Sequence, residues 1–427
     1  MDAAGIGGFA LGVGSRGASF SEVFRGLAVL FLLVIAAGCG GGGDDGGGGG
    51  EGAGGDTSES TSRDSQPVLG AGGDEEQPED APSVGFPVFA TKNTTRVAGG
   101  DSVATAAGAA RAVYPARTDE SSPRVVAIVH RGDWRAAISA AQLMARPLRA
   151  AVLLSDGDEM PAASAEALEE LAPSGAEEVD DAQVIRIGDA AEPENRRITE
   201  VEGASSASLA HGIDRLQISA AGDPTGAVLV APADSPQFAM PAAGWAAKSG
   251  QPVLWTTKDS LPPETREAIR AHERPRIYVL GPEEAVAAGV VSELEKLGPT
   301  KRISGPDPVS SAIAFARYSD GAFGWNVVDP GHGLVFVNAE RTLDALAGAA
   351  FSGAGQFGPV LLVDDAAALP VPVQEYLLDI QPGYDEDPVR GVYNHGWLMG
   401  DEAAISADVQ SRIDALLEIQ PVDTESD

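Results

Sequence analysis

Three copies of one pattern lie in tandem in this sequence, with a period of about one hundred residues. An apolar run, an acidic residue and a proline recur in the same order in "AVLLSDGDEMP", "PVLWTTKDSLP" and "PVLLVDDAAALP". The segments that begin at Arg96, Glu200 and Arg302 also correspond, at spacings of 104 and 102 residues. Because a fixed internal period is the signature of units that stack on one another, the sequence predicts three similar, adjoining units.

Each unit alternates helical segments with short apolar runs. The runs Val125–Val129, Ala227–Val230 and Leu334–Val337 each precede an Ala-rich helical stretch such as "DWRAAISAAQLMARP". Apolar runs without polar alternation are typical of parallel strands that are buried on both faces. The sequence therefore predicts an α/β fold of three tandem repeats with parallel sheets, in which small helical residues allow close packing.

The first 39 residues have the layout of a bacterial lipoprotein signal. Arg16 and Arg25 precede an apolar run from Leu27 to Ala37, and small residues lead into Cys39. The run is short for a transmembrane helix, and the segment resembles a lipobox, which implies that Cys39 is lipidated and anchors the chain to the membrane. The alternative is an ordinary secretion signal in which Cys39 is incidental. As the only cysteine of the chain, Cys39 excludes an internal disulfide and a zinc site built from cysteines.

Residues 40–85 are rich in glycine, serine and acidic residues and are nearly free of large apolar side chains. Such a segment cannot bury enough surface to offset its chain entropy, so it is predicted to be a disordered tether. The chain has a net charge of −34, and because the tether holds eleven acidic residues and one arginine, −24 remains on the part predicted to fold. This charge argues against a nucleic-acid partner, which requires a basic surface.

The units share a longer motif, in which Arg–apolar–Ala/Ser–Gly–x–Asp is followed by an Ala-rich helix, Pro–Val–Leu–Leu and Asp–x–Leu–Pro. It is clearest at Arg302–Asp307, Thr257–Pro262 and Asp344–Leu346, and it extends over roughly Phe86 to Gln420. The motif resembles the bacterial cell wall-binding repeat 2 family. The resemblance implies three Rossmann-like units around a pseudo-threefold axis, and a role in holding surface proteins non-covalently on anionic wall polymers.

The repeat pattern divides the chain into a series of segments. They are the signal 1–39, the tether 40–85, repeat 1 at 86–194, repeat 2 at 195–300, repeat 3 at 301–420 and an acidic tail at 421–427. Repeat 2 departs from the family pattern because Glu200 stands where the other copies have Arg96 and Arg302. The heavy acidity is also unusual for a protein that binds a polyanion.

Gly-containing turns at "VAGGDS" and "ISGPDP" open a helix in repeats 1 and 3. One interpretation is an anion site, in which helix N-terminal amides and Arg96 or Arg302 face a phosphate or carboxylate. The other is helix capping, in which Asp101 and Asp307 accept hydrogen bonds from the first amides of the helix. The two roles conflict, since an aspartate repels an anion unless a cation bridges them.

A second candidate is Asp365, which could share oxygen ligands with Asp364 near the end of a strand. The corresponding positions in the other repeats include Lys258, which argues against a repeated metal site. The loop that holds these aspartates, with Asp344 beside it, is therefore interpreted as solvated. No zinc motif, nucleophile elbow or phosphate-binding loop is present in the sequence, and no cofactor is predicted apart from a bridging divalent cation.

Together these features predict a membrane-tethered surface lipoprotein on the outer face of the bacterial cytoplasmic membrane or in the cell wall. Its repeats are expected to bind an anionic cell-wall polymer without catalysis. One alternative is a solute-binding lipoprotein of a transporter, although that class has two lobes and a hinge rather than three repeats. Another is a protein-interaction scaffold at the cell surface, and a third is a hydrolase whose nucleophile and base the sequence does not display.

Overall fold

A computed structural model describes residues 88–355 and 358–422 of the chain. The predicted signal with Cys39 and the predicted tether lie outside the described residues, as does the tail beyond residue 422.

Strands and helices alternate along most of the described chain. The first part contains β1 (Val88–Ala90), β2 (Thr94–Val97), α1 (Ser102–Val113), β3 (Val126–His130), α2 (Trp134–Ala140), β4 (Ala151–Ser155), α3 (Ala162–Leu171), β5 (Val184–Ile187), β6 (Ile198–Val201) and α4 (Ser206–Ala221). The middle contains β7 (Ala227–Pro232), α5 (Pro236–Ser249), β8 (Val253–Thr256), α6 (Pro263–Ala271), β9 (Arg276–Leu280), α7 (Ala288–Leu294), β10 (Thr300–Ile303) and α8 (Pro308–Arg317). The last part contains β11 (Gly333–Asn338), α9 (Asp344–Gly353), β12 (Val360–Val363), α10 (Val371–Asp379), β13 (Gly383–Tyr384), β14 (His395–Met399), α11 (Ala407–Leu417) and β15 (Gln420–Pro421).

Three sheets share one strand order. The first is β4-β3-β5-β6, the second is β8-β7-β9-β10, and the third is β12-β11-β14-β2 with β1 added at its edge. Within these sheets the pairings are parallel, except that β1 is antiparallel to β2. The central strands are buried on both faces, as a parallel sheet between helix layers requires. The prediction of an α/β fold with parallel sheets is confirmed.

The last strand of each sheet comes from sequence that was not recognised as a strand. These strands, β2, β6 and β10, end with the positions Arg96–Val97, Glu200–Val201 and Arg302–Ile303, where the sequence suggested only a turn before a helix. As a result, β6 lies beyond the predicted boundary at residue 194 yet pairs with β5 of the first sheet. In the same way, β2 pairs with β14, so the first and last parts of the described chain form one sheet.

Helices α2, α5 and α9 follow strands β3, β7 and β11, the second strand in the order of each sheet, and pack against one another. All three helices are rich in alanine, α5 and α9 also contain glycine, and most of these small residues are buried. A Cβ atom added at Gly353 of α9 would lie 2.8 Å from the backbone oxygen of Ala247 in α5. The close approach that the Ala-rich sequence predicts is therefore present between α5 and α9.

We expect Gly353→Ala to lower the free energy of unfolding by about 1–3 kcal/mol, because the added methyl group meets backbone that cannot move aside. Gly289→Ala in α7 is the matched control, since a Cβ there has no atom within 4 Å. Removing a helical glycine at that open position should instead stabilise the protein by about 0.5–1 kcal/mol. Urea unfolding of both variants measures the difference. A change of the same sign in the free energy of unfolding of both variants would contradict the close packing of α5 on α9.

Tryptophan side chains join neighbouring sheets. The rings of Trp134 in α2 and Trp255 in β8 meet edge to face at 5.3 Å. The indole Nε1 of Trp255 donates to Ser139 Oγ at 2.9 Å, and Ser139 Oγ donates to the carbonyl of Val253 at 3.1 Å. These contacts pack the two tryptophans between the first and second sheets.

Candidate ligand-binding edges

Arg96 lies at the carboxyl edge of the third sheet and is almost fully buried, with 3% of its surface exposed. Its Nη1 donates to the carbonyl oxygens of Gly400 and Asp401 at 3.0 and 2.8 Å, and its Nη2 donates to that of Ile405 at 2.6 Å. Its Nε donates to Gln410 Oε1 at 2.9 Å. The guanidinium thus holds the loop that follows β14.

The charge of Arg96 is set by burial and by nearby acids. Desolvation lowers the pKa of Arg96 from its usual value, while Glu402 and Asp401 act in the opposite direction. An arginine stays protonated under these conditions, so the loop carbonyls are held by a buried cation.

Arg302 occupies the same place in the second sheet as Arg96 does in the third, since each is the third residue of a four-residue strand. Its Nη1 and Nη2 donate to the carbonyl oxygens of Gly281 and Val286, both at 2.7 Å. Arg302 is only half-buried, and desolvation lowers its pKa while Glu283 and Glu284 oppose that shift. It therefore supports the loop after β9 and keeps part of its surface open to solvent.

In the first sheet the corresponding position is Glu200, and the arginine is found on the adjacent strand. Arg186 of β5 donates from Nε to the carbonyl of Ala190 at 2.6 Å, and from Nη1 to Glu200 Oε1 at 2.9 Å. Arg186 on the neighbouring strand thus supplies the guanidinium that the first sheet lacks at Glu200. Each of the three sheets has an arginine that holds the loop after its third strand.

Asp101 and Asp307 are helix N-caps. Asp101 accepts a hydrogen bond from the amide of Ala104 at 2.8 Å, and Asp307 accepts one from the amide of Ser310 at the same distance. The capping interpretation of these two residues is confirmed. Their carboxylates lie at the N-termini of α1 and α8, where they are favoured by the helix dipole.

Asp364 and Asp365 are exposed at the end of β12, which confirms that this loop is solvated. Asp365 accepts a hydrogen bond from the amide of Ala367 at 2.8 Å. The same interpretation is wrong for Asp344, whose side chain is fully buried at the start of α9. The helical period places Asp344 against the sheet, and its ion-pair partner is the nearby Arg341, with 2.7 Å between Nε and Oδ2.

Arg341 and Asp344 form an ion cluster that sequence reasoning missed. Arg341 also contacts Asp401, with 3.2 Å between Nη1 and Oδ1. Burial raises the pKa of Asp344, and Ser102 and Arg341 partly offset this effect. The signal that could have revealed the cluster is the spacing of Arg341 and Asp344, three residues apart across a helix start.

The five candidate residues do not form a single site. Arg96, Asp101 and Asp365 belong to the carboxyl edge of the third sheet, whereas Arg302 and Asp307 belong to that of the second. Carboxyl edges of parallel strands are the usual ligand-binding side of α/β folds. The arrangement offers helix N-termini, exposed carboxylates and a half-buried arginine at separate edges.

Among residues 88–355 and 358–422, no group of three or more His, Cys, Asp or Glu side chains is placed to hold a metal ion. In the same part of the chain, no helix has the length and apolar character needed to cross a membrane.

Comparison with known proteins identifies one family. The family described as "Cell wall binding domain 2 (CWB2)" matches residues 302–410, from Arg302 in β10 to Gln410 in α11. This result confirms the resemblance predicted from the sequence over that segment. The family identified is a wall-binding domain and not a catalytic one. A search of curated proteins found no match.

Two solved structures from Clostridium difficile are similar in fold. Cwp6 is 16% identical, with a TM-score of 0.61 over 78% of this chain and 51% of its own chain. Cwp8 is 13% identical, with a TM-score of 0.59 over 77% of this chain and 52% of its own. This chain thus spans about half the length of either protein, and at these identities the similarity shows the fold alone.

Proposed function

We propose that this protein is a membrane-tethered surface lipoprotein whose α/β module binds an anionic cell-wall polymer and catalyses no reaction. The observation that carries the proposal is the match of residues 302–410 to cell wall binding domain 2. The fold shared with Cwp6 and Cwp8 agrees with it. The tethering part of the proposal depends on the lipobox-like sequence that ends at Cys39. The protein would then act at the outer face of the cytoplasmic membrane, within reach of the wall.

The module is further proposed to be three repeats around a pseudo-threefold axis, at 86–194, 195–300 and 301–420. The common strand order of the three sheets and the mutual packing of α2, α5 and α9 support this arrangement. In an experimental structure, superposition of one sheet unit on the next should bring Val152, Val253 and Val360 into coincidence. Different crossing angles at each seam would rule out the axis.

The acidity of the module limits how it can hold a polyanion. With −24 on the part of the chain after the tether, long-range electrostatic attraction has the wrong sign. The donors of Arg96 already lie on loop carbonyls, which leaves Arg302 as the more accessible of the two arginines. We therefore favour binding through divalent cations that exposed carboxylates such as Asp365 share with the polymer.

Sedimentation with isolated cell walls tests this proposal. The full chain should pellet with walls in magnesium or calcium, should be released by a chelator, and should rebind when the cation is restored. Asp365→Asn should weaken retention, whereas Asp119→Asn, an equal charge change at an exposed turn after α1, should not. Arg302→Ala should leave retention unchanged if the cation carries the contact.

The opposite pattern would assign binding to arginine. Retention that survives chelation but is lost in Arg302→Ala would replace the cation bridge by charge-assisted hydrogen bonds, each worth about 1.5–3 kcal/mol. Retention that survives chelation and the loss of both Arg96 and Arg302 would contradict both mechanisms. Failure to pellet under any condition would contradict polymer binding itself and favour the role of a protein-interaction scaffold.

A further inference from the structure

Large apolar side chains that are exposed to solvent are confined to one part of the described chain. Among residues 88–355 and 358–422, all of them belong to the segments that build the third sheet: Phe89, Val328, Val371, Leu378, Val389, Val392, Tyr393 and Val422. Within this described chain, no large apolar side chain is exposed between Thr94 and Val327. Isolated apolar side chains on a surface need no explanation, whereas a cluster of them marks an interaction site.

Five of these side chains lie at the amino end of the third sheet and are called the valine patch: Val328, Val389, Val392, Tyr393 and Val422. Val328 precedes β11, and Val392 and Tyr393 precede β14. The Tyr393 hydroxyl donates to the carbonyl of Pro388 at 2.6 Å. The residues before two neighbouring strands therefore contribute to one end of the sheet.

Glycines bring the segments of the valine patch together. A Cβ atom added at Gly331 would lie 3.4 Å from the Cβ atom of Val392. One added at Gly391 would lie 3.6 Å from the carbonyl oxygen of Gly383, and one added at Gly383 would lie 2.5 Å from Val422. The segments 328–331, 383–393 and 420–422 therefore lie side by side.

The valine patch is built largely on a connection that is short in the second sheet. Residues 380–394 join α10 to β14, whereas only residues 272–275 join α6 to β9. In the first sheet, residues 172–183 join α3 to β5 and expose no large apolar side chain. Val389 lies in a single helical turn of the 380–394 connection and is 81% exposed. The repeated fold therefore does not require these apolar side chains.

Acidic side chains lie beside the valine patch. Three consecutive acidic residues, Asp385–Asp387, are exposed in the 380–394 connection, in which the only cationic residue is Arg390. Asp329 is exposed next to Val328. The part of the chain after the tether carries a net charge of −24. Charge repulsion therefore disfavours an anionic polymer, an anionic membrane surface or a second copy of this chain here, and attraction favours a basic protein.

We infer that the valine patch is a docking surface for a basic protein, one whose apolar side chains lie beside lysine or arginine. On binding, the apolar side chains of the patch lose contact with water, and the carboxylates beside them meet the partner's cations. The inference goes beyond the proposed wall binding. The valine patch is at the amino end of the third sheet, whereas Asp365 is at its carboxyl end, so the two contacts use different surfaces.

Selection from a displayed library of random peptides tests the chemistry of the partner. Peptides that bind the immobilised full chain are depleted on the Val389→Asp chain. Those that remain should carry aromatic or aliphatic residues beside lysine or arginine. Enrichment of acidic peptides, or of none, would overturn the inference.

Affinities of the synthesised peptides are then measured with variants that took no part in the selection. Val392→Asp and Glu386→Lys should each weaken binding by about tenfold or more, and binding to the wild type should weaken as ionic strength rises. The matched controls are Val371→Asp, at an exposed position outside the patch, and Glu120→Lys, at an exposed turn after α1. Both controls should bind as the wild type does, and equal losses in variants and controls would contradict a role for the patch.

Photocrosslinking from position 389 tests docking in cells that express the full chain. A photoreactive amino acid there should form an adduct with a basic protein, and the same amino acid at position 371 should not. That protein, once purified, should bind the wild type and lose binding to Val392→Asp. A covalent dimer of this chain would assign the patch to self-association, and a lipid adduct would assign it to a membrane. Either result, or the absence of any adduct, would overturn the inference.

Sedimentation with isolated walls separates this inference from the proposed function. Val392→Asp should pellet with walls as the wild type does, because the substitution lies at the opposite end of the sheet from Asp365. A variant that loses peptide binding and keeps wall retention supports a separate docking surface. Loss of both in Val392→Asp, with its circular dichroism unchanged, would show that the patch belongs to the wall-binding surface and would overturn the inference.

Discussion

Arg96→Met is expected to lower the free energy of unfolding by about 3–5 kcal/mol. Methionine fills part of the same space but supplies no donor, so the carbonyl oxygens of Gly400, Asp401 and Ile405 lose the guanidinium that now lies 2.6–3.0 Å from them. These carbonyl oxygens contact the Arg96 side chain, which is almost fully buried. Water therefore cannot readily replace the lost hydrogen bonds. Urea unfolding followed by far-ultraviolet circular dichroism measures the loss.

Arg302→Met provides the matched comparison within the same chain. That arginine holds two carbonyl oxygens instead of three and is only half-buried, so we expect a smaller cost of about 1–2 kcal/mol. Equal losses, or a larger loss for Arg302→Met, would contradict the view that burial determines the contribution of these arginines. Limited proteolysis should also cut the Arg96→Met protein first in the loop that follows β14.

Cys39→Ser is expected to move the protein from the membrane fraction to the soluble fraction. Acyl chains on Cys39 would provide the binding energy, at about 0.8 kcal/mol for each buried methylene group, and serine cannot carry them through a thioether. Ultracentrifugation of lysed cells followed by immunoblotting measures the distribution. Incorporation of a labelled fatty acid by the wild type but not by Cys39→Ser would show that lipid is attached there.

Ser65→Ala, in the predicted tether that follows Cys39, is the control for this experiment and should remain with the membrane. If Cys39→Ser also stays in the membrane pellet after a high-salt wash, the anchor lies elsewhere. If the wild type itself is soluble and carries no fatty acid, the segment is an ordinary secretion signal. Neither outcome would affect the wall-binding proposal, because that proposal is tested with isolated walls.

The sequence predicts the layers of this fold well because the central strands and the second helices carry strong physical signals. Runs such as Val126–His130 and Val360–Val363 are apolar without alternation, as burial on both faces requires. The Ala-rich stretch that becomes α5 indicates close helix contacts, and the contact of Gly353 with Ala247 bears this out. Local composition is sufficient to predict strands and helices of this kind.

The last strand of each sheet was missed because its sequence resembles a loop. "TTRV" and "TKRI" mix polar, charged and apolar residues over only four positions, and short strands with charged side chains are common near sheet edges. The pairing of β2 with β14 is set by tertiary packing between residues some 300 positions apart. A local pattern carries no information about such a partner.

The candidate residues also show that a local pattern does not predict contacts between residues far apart in sequence. Asp101 and Asp307 follow a local rule, since an aspartate before a helix caps it, and the structure agrees. Arg96 and Asp344 do not, because their burial depends on loops that follow other strands. The ion cluster of Arg341, Asp344 and Asp401 joins two loops that are about sixty residues apart in sequence.

The pairing of the N-terminal strands with the third sheet also determines how the fold would carry mechanical load. A pull on the chain from its N-terminal side reaches β1 first, and its three residue pairs with β2 can open one after another from Val88. The load then passes to β2, whose four pairs with β14 and whose Arg96 contacts engage the last third of the fold directly. The first and second sheets take no part in these pairings, so a pull from the N-terminal side reaches the third sheet before the other two.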